Sequence, residues 1–256
     1  MEIGLLFHRL LRSLNIRSYM APARSRLRNE HNIPFGPYLG ISHLVQIVTL
    51  PDSSRYALDV CYGGDGPTAP LTLESGKACR NLGTQEVRLV NRHLDEHVEP
   101  AGQLKSWVYE YRNAADREWE ALYSFGEYEF FEEDFRAINF GVSRDESCFQ
   151  TFTVIAVMFL GQEEKKRGTG DGNIGGEQEQ DERKDGKKED EEDMVVVGKV
   201  MLKDAVLKRN MGGKTEVVQL CKTEKERLKV IREVFGIELT EDEKEGIKGW
   251  RTELEG

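Results

Sequence analysis

A histidine at the start of one apolar strand and an aspartate inside the next can form the orienting half of a nucleophilic triad. Such a pair stands in Ser42-His43-Leu44-Val45-Gln46-Ile47-Val48-Thr49 and Tyr56-Ala57-Leu58-Asp59-Val60-Cys61-Tyr62. The carboxylate would fix the imidazole tautomer and stabilise its cation, while the imidazole takes a proton from a thiol or hydroxyl. An Asp59 buried among apolar neighbours needs a partner, because an unpaired carboxylate is costly there. His43 is the obvious one. Spacing alone leaves a second reading open, a hydrogen-bonded pair that merely satisfies the sheet.

Other polar candidates carry less. His93 and His97 are four apart, but the intervening Leu94-Asp95-Glu96 is not a metalloprotease pattern and no further ligands accompany them, so no metal is expected. His8 and His31 are expected in solvent. Cys61, Cys79, Cys148 and Cys221 are expected to pack as small apolar or surface thiols. Cys61, two residues beyond Asp59, is expected on the same strand face. Phe125, Tyr128, Phe130, Phe131, Phe135 and Phe140 are read as core.

The elements that must position the pair follow from periodicity. Ile3, Leu6, Phe7, Leu10, Leu11 and Leu14 recur at helical spacing, predicting an amphipathic helix over Met1 to Leu14. No capping residue opens it. Strands are predicted at Ile16 to Arg24, His43 to Leu50, Arg55 to Tyr62, Glu86 to Val90, Ser106 to Arg112, Trp119 to Phe125, Phe152 to Leu160, Met194 to Leu202 and Glu216 to Leu220. Pro51-Asp52-Ser53-Ser54 should turn the second into the third as a hairpin. A helix is expected over Glu132 to Phe140. Two more should follow the capping boxes Thr223-Glu-Lys-Glu226 and Thr240 to Glu243, the first stopped by Gly236.

Composition excludes several classes. The chain has 256 residues and a formal net charge of −10. Residues 162 to 193 hold 13 acidic against 7 basic residues and six glycines, with Ile174 as the only aliphatic side chain. That window is expected to be an inserted disordered loop, because it cannot bury enough area to offset its ordering entropy. The rest is nearly neutral. Without a basic stripe, nucleic acid is not an expected partner. The longest apolar runs are about nine residues, against roughly 20 for a membrane span, so no membrane partner is expected. Met1 to Leu14 lacks the pattern of a signal peptide. Four irregularly spaced cysteines give neither a disulfide framework nor a metal pair, which points to a reducing, cytoplasmic setting.

The run from His43 through Gly63-Gly64-Asp65-Gly66-Pro67-Thr68-Ala69-Pro70-Leu71 resembles the arylamine N-acetyltransferase family, especially its fungal branch. The resemblance covers the chain from Met1 to its end, with the acidic window as an insertion. It implies an α+β fold: a helical domain, of which residues 1–30 would be a remnant, a β-barrel domain over 31–125, and an α/β lid over 126–256, on a core shared with papain-like proteases. It implies a ping-pong reaction in which a Cys-His-Asp triad passes an acetyl group from acetyl-CoA to an arylamine or hydrazine. His43 then matches the base and Asp59 its orienting carboxylate. Gly63, Gly64 and Gly66 match the loop against which CoA lies, and Tyr62 matches an aromatic of the acceptor pocket. The family's nucleophile would stand one residue ahead of Met1, so the catalytic cysteine is expected to be missing and the chain inactive as it stands.

Two function classes therefore compete. The chain is either a monomeric acyltransferase whose first segment is absent, or a catalytically inactive remnant that binds a ligand or partner, with apolar faces left uncovered. A papain-like protease shares the triad, but the Gly-Pro-Thr-Ala-Pro-Leu turn argues against it.

Overall fold

The computed structural model describes residues 1–29, 32–100, 102–145, 148–163, 194–212 and 214–255. Among them, two antiparallel sheets carry the chain. The first contains β1 (Arg17–Arg28), β2 (Pro34–Thr49), β3 (Arg55–Leu58), β4 (Leu71–Thr72), β5 (Ala78–Arg80), β6 (Glu86–Arg92), β7 (Ser106–Arg112) and β8 (Glu120–Phe125), in the order β4-β3-β2-β1-β8-β7-β6-β5. The second contains β9 (Ile155–Glu163), β10 (Met194–Lys203), β11 (Val206–Asn210) and β12 (Thr215–Leu220), in the order β12-β11-β10-β9. Helices α1 (Glu2–Ser13), α2 (Glu132–Val142), α3 (Phe149–Phe152), α4 (Glu224–Phe235) and α5 (Glu241–Glu245) complete the described elements.

The first sheet curls around one apolar core. Ala21, Ala23, Val45, Ile47, Val87, Leu89, Tyr109, Leu122, Tyr123 and Phe125, drawn from β1, β2, β6, β7 and β8, all face one core. A curled sheet of this kind encloses its own apolar face. Leu122 is fully buried in it. Leu122→Ala is expected to cost about 2–5 kcal/mol, the range for deleting a buried leucine side chain. Urea unfolding should show this as a lower midpoint at unchanged slope.

The strands and capped helices emerge close to their predicted places. Thr223 accepts from the Glu226 amide, Gly236 ends α4 at φ 67°, and Thr240 and Glu243 cap α5 reciprocally. The differences are informative. β2 begins at Pro34, nine residues before the predicted start, and pairs with β1 through three register shifts. Gly36, at φ 70°, and Pro37 sit within this bulged strand. Residues 162 and 163, counted with the acidic loop, continue β9 against β10. The remainder of that loop, residues 164–193, lies outside the described residues, as does His31.

The opening helix is rotated from its predicted orientation. Gly4, His8 and Leu11 are buried, whereas Ile3, Leu6, Leu10 and Leu14 are at least half exposed. Close approach explains this. A Cβ on Gly4 would lie 2.8 Å from Leu44 Cδ1, so the glycine lets α1 sit directly on β2. Gln46 then fastens it: its Nε2 donates to the Gly4 carbonyl at 3.1 Å, and its Oε1 pairs with His8 Nδ1 at 3.0 Å. His8 is thus a buried partner and not a solvated one. Gln46 is itself 1% exposed, an amide the sequence placed in an apolar strand and which burial obliges to find partners. Of the six aromatics read as core, Phe125 and Phe135 are buried, while Tyr128, Phe131 and Phe140 are exposed.

Candidate active site

Three strands and one loop build the site. β2 supplies His43, which is 7% exposed. The loop after β3 supplies Asp59, Cys61 and Tyr62. β8 supplies Tyr123 and β7 supplies Tyr109. The β2–β3 ladder runs from Thr49↔Arg55 to Gln46↔Leu58 and stops there. Asp59 therefore lies past the end of a four-residue strand, and the expectation of a mid-strand carboxylate, with Cys61 on its strand face, is corrected. The aspartate itself ends the strand. Its Oδ1 accepts the backbone amides of Cys61 at 3.1 Å and Tyr62 at 3.0 Å, an Asx turn that competes with the ladder.

The other carboxylate oxygen meets the imidazole. Asp59 Oδ2 lies 2.7 Å from His43 Nε2, with the Asp59 side chain 1% exposed. The structure thus joins the two residues that the sequence paired. Burial works against the imidazolium, but the Asp59 charge and hydrogen bond, with a smaller contribution from the neighbouring Cys61, outweigh it and hold the His43 pKa up at about 10. His43 is consequently a cation through the neutral range. With Nε2 engaged by Asp59, Nδ1 is the nitrogen that can exchange a proton with a reacting group.

Aromatic rings wall the imidazole. Tyr62 packs edge-on to it at 5.1 Å and Tyr123 at 5.5 Å, and Tyr109 stacks on Tyr123 at 4.7 Å. Burial pushes the hydroxyls of Tyr62, Tyr109 and Tyr123 up, so all three are neutral donors near pH 7. Low polarity around the ion pair strengthens it.

The glycine loop is fixed from several sides. Gly63 has φ +91°, a backbone conformation that side chains resist, and the Gly66 amide donates to its carbonyl at 2.8 Å. A Cβ on Gly64 would stand 2.9 Å from Met201 Sδ of β10, and one on Gly66 would stand 3.1 Å from the Gly63 carbonyl oxygen. The protein's own packing therefore calls for these glycines. Asp65 binds Arg28 of β1 and, at 3.0 Å, Lys199 of β10; Lys199 also donates to the Gly64 carbonyl. The Tyr109 hydroxyl donates to the Asp65 carbonyl at 2.9 Å. Neither Arg28 nor Lys199 stood out in the sequence, because nothing local marks a cation that will fold onto a distant acid.

Among the described residues, one group of nitrogen, sulfur and carboxylate donors comes close enough to hold a metal ion: His43, Asp59 and Cys61, whose ligating atoms lie within 4.8 Å of one another. His93 and His97 do approach, with rings 5.0 Å apart, but their nitrogens turn to the Leu104 carbonyl, the Leu94 amide and Ser106. Among the described residues no helix is long and apolar enough to cross a membrane.

Comparisons with known proteins bear on the family and the fold. A family profile described as N-acetyltransferase matches residues 1–197. N-malonyltransferase FDB2 of Fusarium pseudograminearum is 26% identical over 216 residues, covering 82% of this chain and 54% of its own length. The protein of that name from Gibberella moniliformis is 26% identical over 215 residues. The chain thus spans about half the length of the curated relatives it matches. Among solved structures, the arylamine N-acetyltransferase of Salmonella typhimurium superposes with a TM-score of 0.67 at 18% identity, over 96% of this chain and 73% of the other. The Mycobacterium marinum enzyme in complex with CoA superposes at 0.63 and 21%, over 91% and 66%. The structural likeness shows a shared fold and the profile match shows descent: the chain belongs to the arylamine N-acetyltransferase family.

Proposed function

We propose that this chain is an N-acyltransferase that moves an acyl group from acyl-CoA to an amine by a ping-pong route. The His43–Asp59 pair carries this reading, since a largely buried imidazole and carboxylate joined at 2.7 Å is the arrangement that activates a thiol. In the first half-reaction a thiolate, stabilised by the His43 imidazolium, adds to the thioester carbonyl, and the departing CoA sulfur takes the proton that His43 holds. In the second, the now neutral His43 removes a proton from the attacking amine. Asp59 keeps the ring oriented in both.

Gly63, Gly64 and Gly66 offer a surface free of side chains for the pantetheine arm, and Tyr62 with Tyr123 bounds the acceptor beside His43. An arylamine or hydrazine, flat and weakly basic, suits such walls. Acetyl is the donor group implied by the sequence resemblance, and malonyl is the group in the name of the curated relatives. Both belong in the test.

Purified chain is incubated with acetyl-CoA or malonyl-CoA and a simple arylamine, and release of free CoA thiol is followed. The expected result is amine-dependent release that falls by about 10²–10⁴-fold in His43→Ala, the usual contribution of a positioned acid–base group. Equal rates in the two proteins, both folded by circular dichroism, would show that the pair is not catalytic.

A further inference from the structure

Asp59 does two things at once: one oxygen orients the imidazole, and the other binds the backbone amide of Cys61. The carboxylate that prepares the base thus also fixes the residue carrying the nearest thiol. Cys61 Sγ belongs to the group whose atoms converge with those of His43 and Asp59 within 4.8 Å. Cys61 is half-buried, and together with Met1 and Leu5 of α1 it packs on the Met20–Leu44–Phe135 cluster. The first turn of α1 abuts the same cluster.

Among the described residues, Cys79 and Cys221 have different surroundings. Cys79 is exposed and donates to the Val87 carbonyl, Cys148 precedes α3, and Cys221 is buried in the core between the second sheet and α4. Cys61 also contributes, after Asp59, to favouring the His43 imidazolium.

We propose that Cys61 is itself an acyl-accepting nucleophile of this chain, activated by His43 and held in place by Asp59. The proposal rests on the acyl-CoA reading above and names a thiol for it. The Cys61 thiolate adds to the thioester carbonyl carbon. The carbon–sulfur bond to CoA breaks, and the CoA sulfur leaves with the electron pair and takes the proton from His43. The products are S-acyl-Cys61 and free CoA thiol. An amine then adds to the new thioester and loses its proton to His43. The bond to Cys61 Sγ breaks, and the amide departs, leaving the thiolate beside the regenerated imidazolium.

The test reads the covalent state of the 256-residue chain. Protein in EDTA is mixed separately with acetyl-CoA, malonyl-CoA and 4-nitrophenyl acetate, quenched in acid, and analysed by intact-mass and peptide mass spectrometry. CoA binding is measured in parallel by calorimetry. The expected result is one acyl group per chain, mapped to Cys61. It should be lost in Cys61→Ala, retained in Cys79→Ala and Cys221→Ala, slowed about 10²-fold or more in His43→Ala, and discharged by added arylamine.

An unmodified Cys61 with all three donors, in folded protein that binds CoA, overturns the proposal and leaves the acyl-CoA reading standing. So does an acyl label that persists in Cys61→Ala. Acylation of Cys61 by 4-nitrophenyl acetate, with neither CoA binding nor reaction with CoA thioesters, supports the nucleophile and overturns the acyl-CoA reading.

Discussion

Asp59→Asn is expected to reduce acyl transfer by about 10⁴-fold without unfolding the protein, the scale seen when the orienting carboxylate of a triad becomes an amide. The amide oxygen can still accept the Cys61 and Tyr62 amides, so the turn survives. Its NH₂ group then faces His43 Nε2, which must become an acceptor. The ring proton moves to Nδ1, the nitrogen that should be free to take one, and the base is in the wrong tautomer. Loss of the negative charge also leaves burial unopposed, so the His43 pKa falls from about 10.

The sign of the pH effect follows. A histidine whose folded-state pKa is raised contributes stability that is full below its unfolded value, near 6.5, and is lost as pH rises through about 10. Wild-type protein should therefore lose thermal stability between these limits, and Asp59→Asn should be flat across them. The measurements are CoA release and the melting temperature as a function of pH. A variant within tenfold of wild-type turnover would remove Asp59 from the mechanism.

Asp65→Ala carries the second large effect, on stability. In the native protein Lys199 is 5% exposed and Asp65 17%, with Arg28 at 22%, so the carboxylate neutralises two cations that are largely out of water. Removing it leaves Arg28 and Lys199 facing each other unpaired. Breaking a buried pair in this way costs about 3–5 kcal/mol, or a melting point lower by roughly 10 °C in a chain of this size. Although burial opposes ionisation, Lys199 and Arg28 hold the Asp65 carboxyl well below the usual carboxylate range. Its stabilisation is complete above the unfolded carboxylate pKa, near 4. It is lost as pH falls through the lower folded value, so Asp65→Ala should also flatten the acid limb of the stability curve. A melting point within about 2 °C of wild type would mean that water screens the cluster far more than its burial suggests.

Much of this architecture was legible in the residue order, and the exceptions have physical causes. β7 matches its predicted bounds and β8 differs by one residue, because each is a short, largely apolar and aromatic run, buried over five consecutive residues and bounded by polar turns. The caps of α4 and α5 are local hydrogen bonds between residues three apart, so they too can be read locally. The His43–Asp59 partnership was legible because an isolated carboxylate near an apolar strand demands a partner.

What escaped is non-local. The rotation of α1 depends on Gly4 fitting against Leu44, forty residues away, and on Gln46 satisfying both Gly4 and His8. Its amphipathic pattern alone pointed the wrong side inward. The approach of Cys61 to His43 was missed because parity along a strand was assumed where the strand had already ended. Asp59 is a turn former as well as an acid, and only the first property tells where the next two residues go.

The double duty of Asp59 constrains how this site can change. An inserted or deleted residue between 60 and 66 would pull on amides that the same carboxylate holds, and so would tilt the imidazole through its other oxygen. The left-handed Gly63 and the Lys199 tie to Gly64 narrow the tolerated lengths further. Variation in loop length, the common route by which enzymes diversify their substrates, is therefore closed at this edge of the pocket. On the function proposed above, acceptor preference would drift here by exchanging rings, at Tyr62 on the tethered loop and at Tyr123 on β8.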